Sequence, residues 1–146
     1  MIRTFKESDL KVVADIYERS NNFLKLNVPK GFFSRDKKLF SSKTVRQCEN
    51  LVYEKENKVV GVISCSENYI EGLFVLPEFW NQGIGSQLLE EFNAKKEELY
   101  LQVYSDNERA VKFYKKHGFR IVGNGICQMT GLPYLEMAKF GARVHE

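Results

Sequence analysis

Cysteine is scarce: three residues in 146, Cys48, Cys65 and Cys127, at wide spacings. No CxxC pair exists, and the two histidines, His117 and His145, lie apart from them. Neither a disulfide framework nor a metal site is expected, and the cysteines read as small buried core residues. Long apolar runs are missing too. "VVGVIS" (Val59 to Ser64) and "GLFVL" (Gly72 to Leu76) are strand-length, far short of the roughly 20 residues a membrane helix needs. The N-terminus, "MIRTFKESDL", lacks the apolar core of a signal peptide, so a cytoplasmic location without membrane attachment is expected. Charge is nearly balanced at +3. That excess gives no reason to expect a nucleic-acid partner; it suits a polyanionic small ligand or ordinary solubility equally well.

Apolar residues make up 43% of the chain and aromatics 13%, enough for one packed core and a single domain over residues 1–146. "IRTF" reads as a strand. Ser8 or Asp9 can cap a helix to about Asn22, with Leu10, Val13, Ile16 and Tyr17 on one face. Pro29 and Gly31 break that pattern, and a second helix is expected over Arg35 to Cys48. Strands follow at Leu51 to Glu56 and Lys58 to Cys65, turning at Asn57, and at Tyr69 to Leu76. A helix then runs to about Glu97, with Leu88, Leu89 and Phe92 on one face. "LYLQVY" (Leu99 to Tyr104) is a buried-type strand. The helix Asn107 to His117 ends at Gly118 in a C-cap position. Two last strands, Phe119 to Met129 and Tyr134 to Phe140, flank a turn at Thr130 and Gly131. The order is that of a mixed α/β domain of about seven strands and about four helices. Helices after the strands at Tyr69 and Leu99 imply crossovers and locally parallel pairing.

The stretch "PEFWNQGIGSQLLEEF" (Pro77 to Phe92) joins a strand to a helix through Gly83 and Gly85. First-turn N–H groups of a helix lack partners within it, its dipole favours negative charge, and glycine lets a phosphate approach the backbone. The same glycines also suit a merely tight turn. A nucleotide P-loop requires GxxxxGK[ST], which is absent, and the third glycine of a dinucleotide fold is missing, since Gln87 and Leu88 follow Gly85.

"LFVLPEFWNQGIGSQLL" resembles the acyl-CoA-binding signature of the GNAT superfamily of N-acetyltransferases: a strand, a proline, then Arg/Gln-x-x-Gly-x-Gly/Ala opening a helix. "NERAVKFYKKHGF" (Asn107 to Phe119) resembles that family's Asn-x-x-Ala-x-x-Phe-Tyr-x-x-x-Gly-Phe motif. "YIEGLFV" (Tyr69 to Val75) is similar to the matching strand of polyamine acetyltransferases. The resemblance implies a mostly antiparallel twisted sheet with a central parallel pair at the cofactor site, and acetyl-CoA as co-substrate. It implies that amides of Asn81, Gln82, Gly83, Ile84, Gly85 and Ser86 hold the pyrophosphate. The strand would splay after Glu71, exposing main-chain groups of Leu73, Phe74 and Val75 to the pantetheine arm. Asn107 would contact the pantetheine or support the loop, and it also suits a helix N-cap. Tyr114, also beside the cofactor, would protonate the departing thiolate, with Phe113 facing the core. Glu71 would act as base, through water; a solvent-facing strand carboxylate is its other reading.

Other residues carry two readings. Trp80 stands at the signature's Arg/Gln position and would pack on either the cofactor or the preceding strand. His117 suits the end of its helix, where a cation offsets the dipole. Lys95, Lys96, Lys112, Lys115 and Lys116 suit a solvated face, or contact with the CoA 3′-phosphate. Tyr69 and Tyr104 are candidates for lining the acceptor pocket. Phe23, Phe32, Phe33 and Tyr134 would line that pocket or fill the core, and Glu71 with Glu136 would attract a cationic amine. The expected activity is acetyl transfer to a primary amine of a small molecule or peptide. A non-catalytic CoA-binding module and a nucleotide-binding domain are the alternatives. C-terminal edge strands are compatible with a homodimer.

Overall fold

The computed structural model describes residues 1–141; His145 lies outside them. Strands β1 (Ile2–Thr4), β2 (Glu49–Lys55), β3 (Lys58–Ser66), β4 (Tyr69–Val75), β5 (Glu98–Tyr104), β6 (Arg120–Ile126) and β7 (Pro133–Phe140) form one sheet. Helices α1 (Leu10–Phe23), α2 (Phe32–Leu39), α3 (Ile84–Asn93) and α4 (Glu108–Lys116) accompany it. Strand β3 explains the layering. Val59 to Cys65 are all buried, and a strand whose side chains alternate can bury such a run only if both faces are covered. Helices α1 and α3 both pack on it. Leu88, Leu89 and Phe92 of α3 are fully buried, as are Val13 and Ile16 of α1 to within 1%.

The sheet order is β1-β2-β3-β4-β5-β7-β6. Every neighbouring pair is antiparallel except β4 and β5, which are parallel. Between β2 and β3, Glu56 and Asn57 have φ of 53° and 65°, the left-handed pair that a two-residue hairpin matching strand twist requires. The first expected crossover, through α3, gives that parallel pair. The second, through α4, gives no direct pairing: β7 lies between β5 and β6 and pairs with both. The final hairpin folds back into the gap because β7 then gains ladder partners on both edges.

Several expected boundaries move. The second helix begins at Phe32 rather than Arg35 and stays α-helical only to Leu39. A π turn over Phe40–Thr44 and a 3₁₀ turn over Val45–Gln47 continue it. Phe40 and Val45 are both buried; the wider turn brings residues five apart toward one face, which an α-helix does not. Helix α3 stops at Asn93 rather than Glu97. Strand β6 stops at Ile126 rather than Met129, because the Gly131 N–H closes a turn on the Cys127 carbonyl at 2.7 Å. The cysteines also differ from expectation: Cys65 is buried, whereas Cys48 and Cys127 are half-buried, being at element ends rather than in the core. At the other end of the chain, buried Asp9 accepts from Arg3 Nη1 at 2.8 Å, Arg3 Nη2 at 3.0 Å and the Lys6 N–H at 2.8 Å.

Candidate active site

Strands β4 and β5 register only at Tyr69 and Tyr100, and then separate. On its other edge β4 carries a bulge: Cys65 faces Ile70 and Ser64 faces Gly72, which leaves Glu71 as the extra residue. The bend and the splay open a cleft of about 730 Å³. Leu76 N–H donates to Val60 O at 3.0 Å, so strand alternation turns the main chain of Phe74 toward Val62 on β3. Leu73 and Val75 therefore direct their main-chain groups into the splay. This corrects the expectation for Phe74, whose contribution is its ring. That ring meets Tyr17 at 5.3 Å and Phe40 at 5.7 Å, and lies over Gly72, where a Cβ would stand 2.4 Å from it.

The glycine stretch forms the floor at one end. Gly83 is left-handed, with φ of 81°, and Asn81 has φ of 64°. This double reversal turns the chain from a 3₁₀ turn over Pro77–Phe79 straight into α3. Gln87 N–H donates to Gly83 O at 3.0 Å. The preceding amides of Ile84, Gly85 and Ser86 come before the first intrahelical donor, and no side chain caps them. Asn81, Gly83, Ile84, Gly85 and Ser86 line the cleft, and Gln82 does not. The Gln82 side chain instead hydrogen-bonds Lys55 Nζ of the β2–β3 hairpin.

Helix α4 forms a neighbouring wall. Asn107 caps it by accepting from Ala110 N–H at 3.2 Å, and also lines the cleft. Tyr114 lines the cleft as well and is only 8% exposed, more buried than Phe113. Phe113, expected to face the core, packs against it only in part: it also lies against the glycine loop, its ring 3.5 Å from where a Gly85 Cβ would stand. Burial alone pushes the Tyr114 phenol up, so it stays protonated and can act only as an acid near neutral pH. Burial likewise pushes the Glu71 carboxyl up, toward the range of a useful base. Glu71 and Tyr114 lie on different elements of one cleft.

A splayed parallel pair beside a helix start with open amides is the geometry of an acyl-CoA cleft, and the comparisons agree. The family model described as "Acetyltransferase (GNAT) domain" matches residues 46–121. The chain belongs to the GNAT acetyltransferase family. YiaC of Escherichia coli, a peptidyl-lysine N-acetyltransferase, is 27% identical over 134 residues, covering 91% of this chain and 92% of its own. The apo solution structure of E. coli YjaB superposes with a TM-score of 0.83 at 26% identity, over 97% of this chain and 98% of that one. The paiA N-acetyltransferase of Thermoplasma acidophilum, solved with coenzyme A, shares the fold: TM-score 0.77 at 20% identity, over 96% of this chain and 98% of that one.

In this GNAT protein the cleft also has a phenolic and acidic lining. Tyr17, Asp36, Tyr69, Glu71, Tyr104 and Tyr134 all line it. Burial, then the charges of Glu71 and Glu136, pushes the Tyr69 phenol up to about 12. Of the expected aromatic wall, Phe32, Phe33 and Tyr134 line the cleft. Phe33, 4% exposed, belongs to the core as well, and Phe23 is 58% exposed and outside the cleft, edge-on to Trp80. Trp80 packs on the preceding strand, its Nε1–H donating to Val75 O at 2.7 Å. His117 does more than end its helix: Nε2 lies 2.9 Å from Ser86 Oγ, tying the end of α4 to the start of α3. The lysines of α4 are exposed, Lys116 at the cleft. Two contacts escaped sequence reasoning, His117 with Ser86 and Arg109 with Trp80, because each joins residues about thirty apart and no local spacing signals them. Among the described residues no group of three or more His, Cys, Asp or Glu could hold a metal ion, and no helix is long and apolar enough to cross a membrane.

Proposed function

We propose that this acetyltransferase moves the acetyl group of acetyl-CoA onto the ε-amine of lysine side chains in proteins. The observation that carries the reading is the continuity of one cleft from the open amides of α3, past the free edge of β4, to Glu71, Tyr69 and Tyr134. The α3 end fits a pyrophosphate, the β4 edge fits the amide-bearing pantetheine arm, and the acidic, phenolic end fits an alkylammonium. Two relatives named as peptidyl-lysine N-acetyltransferases support the choice of acceptor.

In this reading Leu73 and the Val75 N–H hold the arm by main-chain hydrogen bonds, the Val75 carbonyl being occupied by Ser20 Oγ and Trp80 Nε1. A lysine ammonium, with a pKa of about 10.4, must lose a proton before it attacks. Glu71 takes that proton, directly or through water. The neutral amine forms its bond to the acetyl carbon, the C–S bond breaks, Tyr114 gives its proton to the departing sulfur, and the new amide nitrogen releases its extra proton to solvent. The Tyr114 hydroxyl recovers a proton from solvent as CoA leaves.

A thiol-release assay with acetyl-CoA, run over lysine peptides, peptides with blocked ε-amines and free small amines, tests this. Release with the lysine peptides alone, with acetyl-lysine detected by mass spectrometry, is expected. Release with small amines only would refute the acceptor, and no release from any amine would refute catalysis.

A further inference from the structure

Trp80 stands where the family signature carries arginine or glutamine, so the loop has lost a polar donor toward the phosphates. Two nearby side chains are candidates to replace it. Gln82 is committed outward to Lys55 and does not line the cleft. Arg109, in the first turn of α4, points the other way. Its guanidinium lies over the Trp80 ring, 3.8 Å from the centroid, and lines the cleft.

Several observations make Arg109 more than a surface cation. Its platform is rigid: the Trp80 indole is held by Val75 O at 2.7 Å and by Phe23, edge-on at 5.2 Å. Its single hydrogen bond among the described residues, Nη2 to Asn81 Oδ1, is long at 3.4 Å and readily exchanged. It forms no ion pair with a carboxylate among the described residues, unlike Arg3, Arg19 and Arg46. Burial pushes its pKa down, since part of its hydration is lost without a compensating charge. A stacked guanidinium keeps its edge donors free, and that planar fork matches two phosphate oxygens. The open amides of Ile84, Gly85 and Ser86 stand in the same cleft.

We propose that Arg109, held flat on Trp80, is the phosphate-binding cation of this cleft and contacts the pyrophosphate of CoA opposite the α3 amides. The charge missing from the signature position is thus returned from a different element, and the tryptophan is its support. This rests on the reading that the cleft takes CoA.

Calorimetric titration of the full chain with CoA, 3′-dephospho-CoA and pantetheine tests the proposal. Wild type binding CoA and dephospho-CoA verifies the underlying reading; wild type binding neither refutes that reading itself. Given binding, Arg109→Gln should weaken both nucleotide ligands about ten- to a hundredfold, the worth of a charge-assisted fork, and leave pantetheine unchanged. Arg109→Lys should fall between, because an ammonium neither stacks nor forks as well. Unchanged affinity for CoA in Arg109→Gln overturns the proposal. A loss seen with CoA but not with dephospho-CoA also overturns it, by moving the contact to the 3′-phosphate. An equal loss with pantetheine overturns it as well, by making the effect structural; a thermal melt of Arg109→Gln, expected to match wild type, separates misfolding from lost contact.

Discussion

Replacing Tyr114 by phenylalanine separates chemistry from folding unusually well in this protein. The side chain is 8% exposed and packs edge-on to Phe113 at 5.2 Å and Phe119 at 5.5 Å. Phenylalanine keeps both contacts and opens no cavity. The hydroxyl makes no hydrogen bond to the described residues, and burial is the sole cause of its raised pKa. Deleting it therefore breaks no bond within the protein, and stability should change by less than about 0.5 kcal/mol, or about 2 °C in Tm. Catalysis should respond quite differently. A positioned proton donor is worth roughly 10²- to 10⁴-fold in rate, which corresponds to about 2.7–5.4 kcal/mol of activation free energy. The loss should fall on kcat, with CoA affinity preserved, because the hydroxyl acts on the sulfur only as the C–S bond breaks. Thiol release gives kcat, calorimetry gives Kd for CoA, and a thermal melt gives stability. An unchanged kcat would refute the role of Tyr114 as acid. A marked fall in Tm with proportionate loss of CoA binding would instead show that the hydroxyl is structural.

Three further outcomes follow from other contacts. Glu71→Gln should abolish the acidic limb of the kcat/KM profile, which in wild type should lie above the ~4.3 of an ordinary glutamate because burial raises this carboxyl. Since a raised carboxyl loses stability as pH rises from its unfolded to its folded pKa, the same variant should melt no lower than wild type at neutral pH. Asp9→Asn should destabilise by about 1.5–3 kcal/mol in denaturant titration, through loss of charged hydrogen bonds. The Arg3 hydrogen bond, opposed by burial, holds the Asp9 carboxyl below its ordinary value. Its contribution is therefore full above the unfolded pKa near ~3.9 and is lost as pH falls through the lower folded value. Gly83→Ala should cost about 1–2 kcal/mol in a melt, since a Cβ has room there, 3.8 Å from Gln87, but φ is 81°. CoA affinity should fall with it as the loop relaxes; an unchanged affinity would mean the loop does not hold the phosphates.

Legibility differed by the range of the interaction. The elements, the hairpin at Asn57 and the helix start at Gly83 were readable because periodicity, capping and turn chemistry act over a few residues. The paired motifs around Gly83 and Tyr114 pointed to the cleft through their resemblance to the GNAT motifs, each one local and the two separated by one helix and one strand. The residues 69 to 75 also pointed to a strand interrupted near Glu71, although the bulge falls on Glu71 itself.

What the sequence determined by itself was therefore the set of elements, their order, and which two motifs share a site. Tertiary structure alone decided the insertion of β7 between β5 and β6, the turning of Phe74 toward β3, the deeper burial of Tyr114 than of Phe113, and the seating of Arg109 on Trp80. Each of these depends on which of two faces or edges a residue meets. That choice is made by partners distant in the chain competing for the same surface, and no pattern along the chain records it.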